Sequence, residues 1–458
     1  MISVNNILEK CIFFSICLAT FDGLNIYNIG LFQRGYVIPT VIGIILYFFT
    51  IKNKKIYLNK TIKCFVLFVV YSICISIFNI NNIMGVEFKN QTAENNLIAT
   101  VRLLLLILCM LLYYTEILIK KERLIEWIYR GIKYSFYVVA IISFIQIFAM
   151  MGIEIAQNIQ FIIEPYINVQ ISQLEQMNVD LTDREITRVH GVSQEASSFG
   201  NYLMIVFPWL CLGAVYFDKS LISKAFCIFA VIFAILSYSR IAYGCMFLEI
   251  VILIFLSNKI RKYIFSFKFM LFFIIFLGCI IFYIDIETIQ ENFISVITSF
   301  FISDGAYESS NLTRLGLQYT AFDMFLSKPL IGFGLGQFQF NAVEYIPEWA
   351  YFSAEIRRFA NAGDPTTFIG TFNTHIRVLV ESGIVGGILW FYIAWHGLKN
   401  YLIVLKYIEK DKKLIIKCII ISYIFSFLSF INFDDYIIFY YWFLIVLSET
   451  LLYKVKKS

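Results

Sequence analysis

Charge is what this 458-residue chain has least of. Asp, Glu, Lys and Arg make up only 15% of it, against 60% hydrophobic residues and 18% aromatics. A water-soluble chain of this length carries roughly a quarter charged residues and folds as two or three domains. With so few charges and a mean hydropathy of +0.76, most of the surface must be solvated by lipid. Proline is scarce, at six residues, and histidine scarcer, at three. No phosphate-cradling Gly-rich loop followed by Lys-Ser/Thr is present, so a nucleotide-driven pump or kinase is not indicated. There is no internal repeat of the kind that builds many secondary transporters, and no low-complexity tract. The ten cysteines all fall in apolar segments without metal-ligand spacing, which argues against zinc and against disulfides. No cleavage site follows the first apolar stretch, so that stretch is expected to be retained.

What is present in abundance is apolar runs. About twelve are long enough to cross a hydrocarbon core of ~30 Å, centred near residues 16, 43, 72, 109, 143, 207, 231, 248, 275, 387, 421 and 444. Most of the 37 Lys and Arg fall in one alternate set of short connections, such as Lys52–Lys63, Lys120–Lys133 and Lys399–Lys417. Positive loops stay inside. Both termini are therefore expected in the cytoplasm of a multi-pass protein of a bacterial inner membrane. The expected fold class is an all-α polytopic membrane protein of about 12 transmembrane helices, with one long extracytoplasmic loop containing surface helices. Residues 1–284 carry helices 1–9 with an outer loop near 154–195, residues 285–374 form the long loop, and residues 375–458 carry helices 10–12 and a cytoplasmic tail. A loop of roughly ninety residues exceeds the usual connection many times over and points to function. Its Leu312, Leu315, Leu317, Ala321, Phe322 and Leu326 recur at helical spacing before Pro329.

Three polar stretches stand at the expected outer ends of the spans. Arg188 to Gly200 packs a cation, an imidazole, a carboxylate and several hydroxyls into thirteen residues. The plainer interpretation is a helix start, with Ser193 or Ser197 as cap and Glu195 favoured by the helix dipole. Ser237-Tyr-Ser-Arg240 joins two spans by a tight turn, which puts Arg240 at the hydrocarbon boundary. It could simply snorkel to headgroups, or its rigid fork of donors could clamp a phosphate. The third stretch, Asn373-Thr-His375-Ile-Arg377 with Glu381 beyond it, brings a histidine beside an arginine where the long loop re-enters the membrane. Histidine suits proton transfer near neutral pH, although a single interfacial histidine is more often structural. Asp434-Asp435 is a weak signal in a short outer turn.

On that face the phosphorylated donors are lipid-linked. A prenyl diphosphate sugar could set its tail in the bilayer and its diphosphate at Arg188 and Arg240, while His375 deprotonates the acceptor hydroxyl and the arginines stabilise the leaving group. No metal and no cofactor are called for, and no nucleic acid.

At these residues the chain resembles the O-antigen polymerase and ligase superfamily of bacterial membrane glycosyltransferases. The resemblance rests on Arg188-x-x-Gly191 through Phe199-Gly-Asn-Tyr202, on Ser239-Arg240, and on Arg314, Lys328-Pro-Leu-Ile-Gly-Phe-Gly-Leu-Gly336, Asn373-Thr-His375 and Glu381-Ser-Gly383. Together they cover about half of the chain. Family members often have His followed directly by Asn; here Asn373 precedes His375 and Arg377 follows it. The resemblance implies an undecaprenyl-diphosphate-linked oligosaccharide as substrate, membrane lipid as surroundings, and a chain-length regulator and a flippase as possible partners. It implies His375 and Glu195 as catalytic residues, with Arg188, Arg240, Arg314 and Arg377 on the diphosphate and glycan. Glu195 within Ser193-Gln-Glu-Ala-Ser197 resembles a pattern found more in polymerases, which would build an O-antigen or capsule-like polysaccharide. A ligase that transfers finished glycan to lipid A-core of lipopolysaccharide is the alternative. A lipid-linked oligosaccharide flippase is another, but it should carry charge within its spans and short outer loops.

Overall fold

The computed structural model describes residues 4–25, 30–50, 58–168, 188–264, 308–363 and 369–457. The span expected near residue 275, and parts of the two long connections, lie outside these residues. The described chain is mostly helical, and six of its helices are long and apolar enough to cross a membrane: Lys60–Phe78, Ala93–Lys120, Leu124–Met150, Ala196–Phe217, Thr374–Tyr407 and Lys410–Ile431. The chain divides into two compact units, one of residues 1–54, 117–298 and 404–425, the other of residues 55–116, 299–403 and 426–458.

In the first unit, α1 (Val4–Cys17) packs on α2 (Val37–Thr50) and on a helix spanning Leu124–Met150. With α3 (Lys60–Phe78) and α4 (Ala93–Lys120) assigned to the second unit, that helix is α5. It continues into α6 (Glu154–Ile167), after which come α7 (Ala196–Leu212), α8 (Leu221–Leu236) and α9 (Arg240–Leu256). α7 is the central helix. All its residues except Ser197 and Ser198 are buried, as expected of a helix that is apolar all round. It packs on α8 and α9.

α6 is amphipathic with its faces reversed. Ile155, Ile159, Ile162 and Tyr166 form an exposed apolar stripe at helical spacing, while Ala156, Gln160, Glu164 and Ile167 are buried. In water that arrangement would be costly; against hydrocarbon it is the favourable one, and the buried carboxylate is bonded. Glu164 accepts from Gln160 and from Asn168 Nδ2 at 3.3 Å, and lies 3.2 Å from His190 Nε2.

In the second unit the core helices α3, α12 (Thr374–Tyr407) and α14 (Phe439–Lys457) share side-chain contacts. Ser72 bonds Ser382 at 3.0 Å, Tyr401 donates to the Leu444 carbonyl at 2.6 Å, and the Phe65 and Trp442 rings meet edge to face. Between them in sequence lie α10 (Glu308–Ser327), α11 (Ala354–Ala360) and short turns of helix. Leu317, Ala321 and Met324 of α10 form a core with Phe333, Phe338, Ile356 and Phe359. A second stripe on α10, of Leu315, Tyr319, Phe322 and Leu326, stays exposed. Among the described residues, the one hairpin pairs Glu87 with Thr92 and Phe88 with Gln91. Its turn residues Lys89 and Asn90 are both left-handed, as a two-residue hairpin of matching twist needs. Lys89 then caps the C-terminal part of α11 by donating to the Arg358 carbonyl at 2.6 Å.

The sequence suggests mostly uninterrupted spans, yet α12 is broken at Gly383, where φ is 64° and ψ −170°. The break frees the carbonyls of Val380 and Glu381, which accept from Phe333 and Gly334 at 2.9 Å each. Ile384 N–H donates to the Pro329 carbonyl at 2.8 Å. The Pro329–Gly336 loop thus replaces the hydrogen bonds that the helix gives up. Only glycine fits at both contact points: a Cβ on Gly332 would lie 2.6 Å from the Val380 oxygen, and one on Gly383 would lie 2.3 Å from the Leu330 oxygen.

Candidate functional site

The first cluster is assembled at the N-termini of α7 and α9. The segment 188–195 is a tight turn hung on Gln146 of α5, whose Oε1 accepts from the N–H groups of His190 and Gly191 at 3.0 and 2.8 Å and whose Nε2 donates to the Gly191 carbonyl at 2.9 Å. His190 is held as well. Its Nδ1 lies 2.8 Å from the Ser193 carbonyl and its Nε2 faces Glu164. Val189 N–H donates to the Leu236 carbonyl at 2.9 Å, which ties this turn to the end of α8 and so to the Ser237–Arg240 turn. Tyr238 there is left-handed, with φ of 48°.

Gly200 brings the two motifs together. A Cβ at this position would sit 2.8 Å from the Ala242 Cβ and 3.2 Å from Ser239 Oγ, so α7 and α9 approach as closely as small residues allow. Gly200→Ala is expected to cost about 1–3 kcal/mol by overpacking. Adding Ala242→Gly should recover most of the lost thermal stability in detergent. Unchanged melting of Gly200→Ala would mean that this contact is not the one setting the helix spacing.

Arg188 is exposed, Arg240 is half-buried as the first residue of α9, and Glu195 is exposed at the N-cap of α7, where Ser197 donates to it at 3.0 Å. The expected cap from Ser193 or Ser197 is therefore replaced by Glu195 itself, whose side chain makes no capping bond. Both helix N-termini add positive potential here. The first-loop residue Asp22 joins them: its Oδ1 accepts from Gln194 N–H at 2.6 Å. Burial pushes this carboxyl up to about 6, against the lowering effect of the Gln194 and Ser198 hydrogen bonds and of Arg34.

Arg314, His375 and Arg377 belong to the other unit. The sequence suggests an open base at His375 and a substrate-facing cation at Arg377; the structure gives both of them partners. Trp390 Nε1–H donates to His375 Nδ1 at 3.0 Å, and since an indole nitrogen only donates, Nδ1 must be unprotonated. Nε2 then carries the proton and faces the Phe427 carbonyl at 3.3 Å. Phe391, Phe427 and Phe430 surround the ring. As placed, neither nitrogen is open to a sugar hydroxyl. Arg377 is buried, with Nε on Glu381 Oε1 at 2.8 Å and Nη1 on Asp434 Oδ1 at 3.2 Å. Tyr436 closes the network by donating to Glu381 Oε2 at 2.7 Å. Asp434 also accepts from Thr371 N–H and hydroxyl at 2.8 and 3.0 Å. Arg314 donates to Asn432 at 2.7 Å and lies over the Phe372 ring. Arg314 and Arg377 thus converge on the 432–436 turn, and Asp434, a weak signal in the sequence, is its anchor.

Residues 225–391 match the family model described as O-Antigen ligase. The match spans 167 of the 458 residues. The resemblance to the O-antigen polymerase and ligase superfamily is thereby supported, and with it a ligase- or polymerase-type function in polysaccharide assembly. The matched residues take in Arg240, Arg314, His375 and Arg377, whereas Arg188, Glu195, Asp22 and Asp434 lie outside them. No curated protein and no solved structure matches the chain. Among the described residues no group of three or more His, Cys, Asp or Glu side chains is arranged to hold a metal.

Two features have no clear signal in the sequence. Asp22 is a lone carboxylate in a short loop, and only its hydrogen bond to Gln194, 172 residues away, singles it out. His396 suggests nothing as a sequence position, yet it lies 3.4 Å from Glu449 and 3.0 Å from Thr61, inside a polar cluster shared by α12, α14 and α3.

Proposed function

We propose that the chain is a polymerase that joins undecaprenyl-diphosphate-linked oligosaccharide units into a surface polysaccharide on the outer side of the inner membrane. The observation that carries this reading is the close approach of α7 and α9 at Gly200, with Glu195 capping one helix, Arg240 opening the other and the Arg188 segment tied to the end of α8, in a chain whose residues 225–391 match the O-Antigen ligase family model. Arg188 and Arg240 hold the donor diphosphate, and the forked guanidinium suits its oxygens better than a lysine would. As the glycosidic bond breaks, negative charge gathers on the leaving diphosphate, and the arginines and helix dipoles stabilise it there. Glu195 is the exposed carboxylate for acceptor hydroxyls. Arg314 and Arg377 order the 432–436 turn, and His375 is a positioning residue that seats the first half of α12 against Trp390 and Phe427. The exposed apolar stripes of α6 and α10 lie against lipid in this reading.

The test is the electrophoretic profile of surface polysaccharide from a strain lacking the chain, with and without complementation. The expected result without it is a ladder reduced to single repeat units on lipid A-core. Long polymer accumulating on the lipid carrier would make the chain a ligase instead. Single lipid-linked units confined to the cytoplasmic leaflet would identify a flippase and overturn the site.

A further inference from the structure

We infer that Asp22, in the loop between α1 and α2, takes the proton from the acceptor sugar hydroxyl in the transfer step. This rests on the glycosyl-transfer reading and adds to it a residue which neither the motifs nor the matched domain contains. The loop is built onto the motif at the start of α7. Asp22 Oδ1 accepts from Gln194 N–H at 2.6 Å, Ser193 Oγ donates to the Thr20 carbonyl at 3.4 Å, and Gly23 approaches the Gln194 side chain closely enough that a Cβ would lie 3.0 Å from it. Asn25 N–H donates to the Tyr166 carbonyl at 2.9 Å at the end of α6. The carboxylate is therefore fixed at the residue next to Glu195, with the Ser198 hydroxyl as a second donor. Being half-buried, it is shielded from water more than the exposed Glu195 is. A general base needs that combination of fixed direction and partial desolvation.

The charged and titratable groups around it come from each element the loop packs on. These are Arg34 and Tyr36 before α2, His190 and Glu195 in the turn, and Glu164 and Tyr166 on α6. In the step, the acceptor O–H proton passes to an Asp22 oxygen as the hydroxyl oxygen bonds the anomeric carbon. The bond from that carbon to the phosphate oxygen breaks, and the prenyl diphosphate leaves with the electron pair. The Asp22 proton is then lost to water or to the diphosphate. Because burial raises the Asp22 carboxyl to about 6, it is ionised and able to accept at neutral pH, and activity should rise with pH through that value. The sign for stability is opposite. A carboxyl raised in the fold contributes most at low pH, and the contribution is lost as pH rises to about 6. Removing the charge should then leave the protein at least as stable above that value.

The experiment uses the full-length protein in lipid nanodiscs with a short-chain polyprenyl-diphosphate oligosaccharide, comparing wild type with Asp22→Asn, whose amide oxygen can still accept from Gln194. Turnover of the variant is expected to fall by on the order of 100-fold or more, with loss of the limb near pH 6, unchanged binding of the donor, and a melting temperature at pH 7.5 equal to or above wild type. Asp22→Glu should regain part of the rate. Full activity with the limb intact, or lost activity accompanied by a lower melting temperature, would overturn the base assignment and leave the glycosyl-transfer reading standing. A wild-type protein that binds the donor but never transfers it would overturn both.

Discussion

Arg240→Ala is expected to abolish long-chain polysaccharide while leaving the protein inserted at wild-type level. Arg240 opens α9 beside Ser239, and the Gly200 contact holds that helix end against the start of α7. Removing its side chain takes one fixed cation from the leaving diphosphate without opening a core cavity, since the residue is only half-buried. The loss of one pre-positioned donor to a developing anion is worth roughly 100- to 1,000-fold in rate. In a processive ladder that is enough to leave only the shortest products. Arg240→Lys keeps the charge but not the planar fork, so it should restore product only in part. The measurement is the polysaccharide ladder alongside an immunoblot of membrane fractions. A normal ladder from Arg240→Ala would remove the clamp from the mechanism. A restored ladder from Arg240→Lys would show that charge alone suffices.

Glu381→Ala should be the most destabilising single substitution in the second unit. Glu381 is fully buried and neutralises Arg377, which is itself buried and shared with Asp434. Truncating the glutamate leaves the guanidinium with half of its compensation and Tyr436 without its acceptor. Breaking a buried pair from one side costs about 3–5 kcal/mol. The consequence should be visible as a lower melting temperature in detergent and reduced accumulation in membranes. Replacing both partners, as in Arg377→Met with Glu381→Leu, should cost less than the single change, because no uncompensated charge remains. A single variant as stable as wild type would mean that Asp434 alone carries the neutralisation.

These two substitutions separate roles that look alike in the sequence. Arg240 and Arg377 are both arginines at the boundary of an apolar run, and Arg377 has the more suggestive company, with His375 two residues before it. What distinguishes them is the turn at residues 432–436, more than fifty residues along the chain, which supplies Asp434 and Tyr436 to the Arg377 network. Nothing local in Asn373–Glu381 announces those partners. His375 differs in the same way: Trp390, four turns farther along α12, and Phe427 on α13 (Lys413–Leu428) use both of its nitrogens.

Composition and hydrophobic periodicity by themselves determined that this is a helical membrane chain, because a 15% charge content leaves no other solvent for its surface. They also marked Arg188–Gly200, Ser237–Arg240 and Asn373–Glu381 as exceptions to an apolar pattern. Those exceptions are local and dense, and so legible. The break in α12 was half-written in the sequence. Gly383 and Gly332 are visible as glycines, but that one relieves the other needs the loop and helix to be in contact. Only the tertiary structure decided which charges are drawn into the Arg377–Glu381–Asp434 network, because a side chain's partners are set by packing across long sequence separations. That is how Asp22 came to stand at the start of α7, how Asp434 rose from an adjacent acidic pair to an anchor, and how His375 became a bonded core residue.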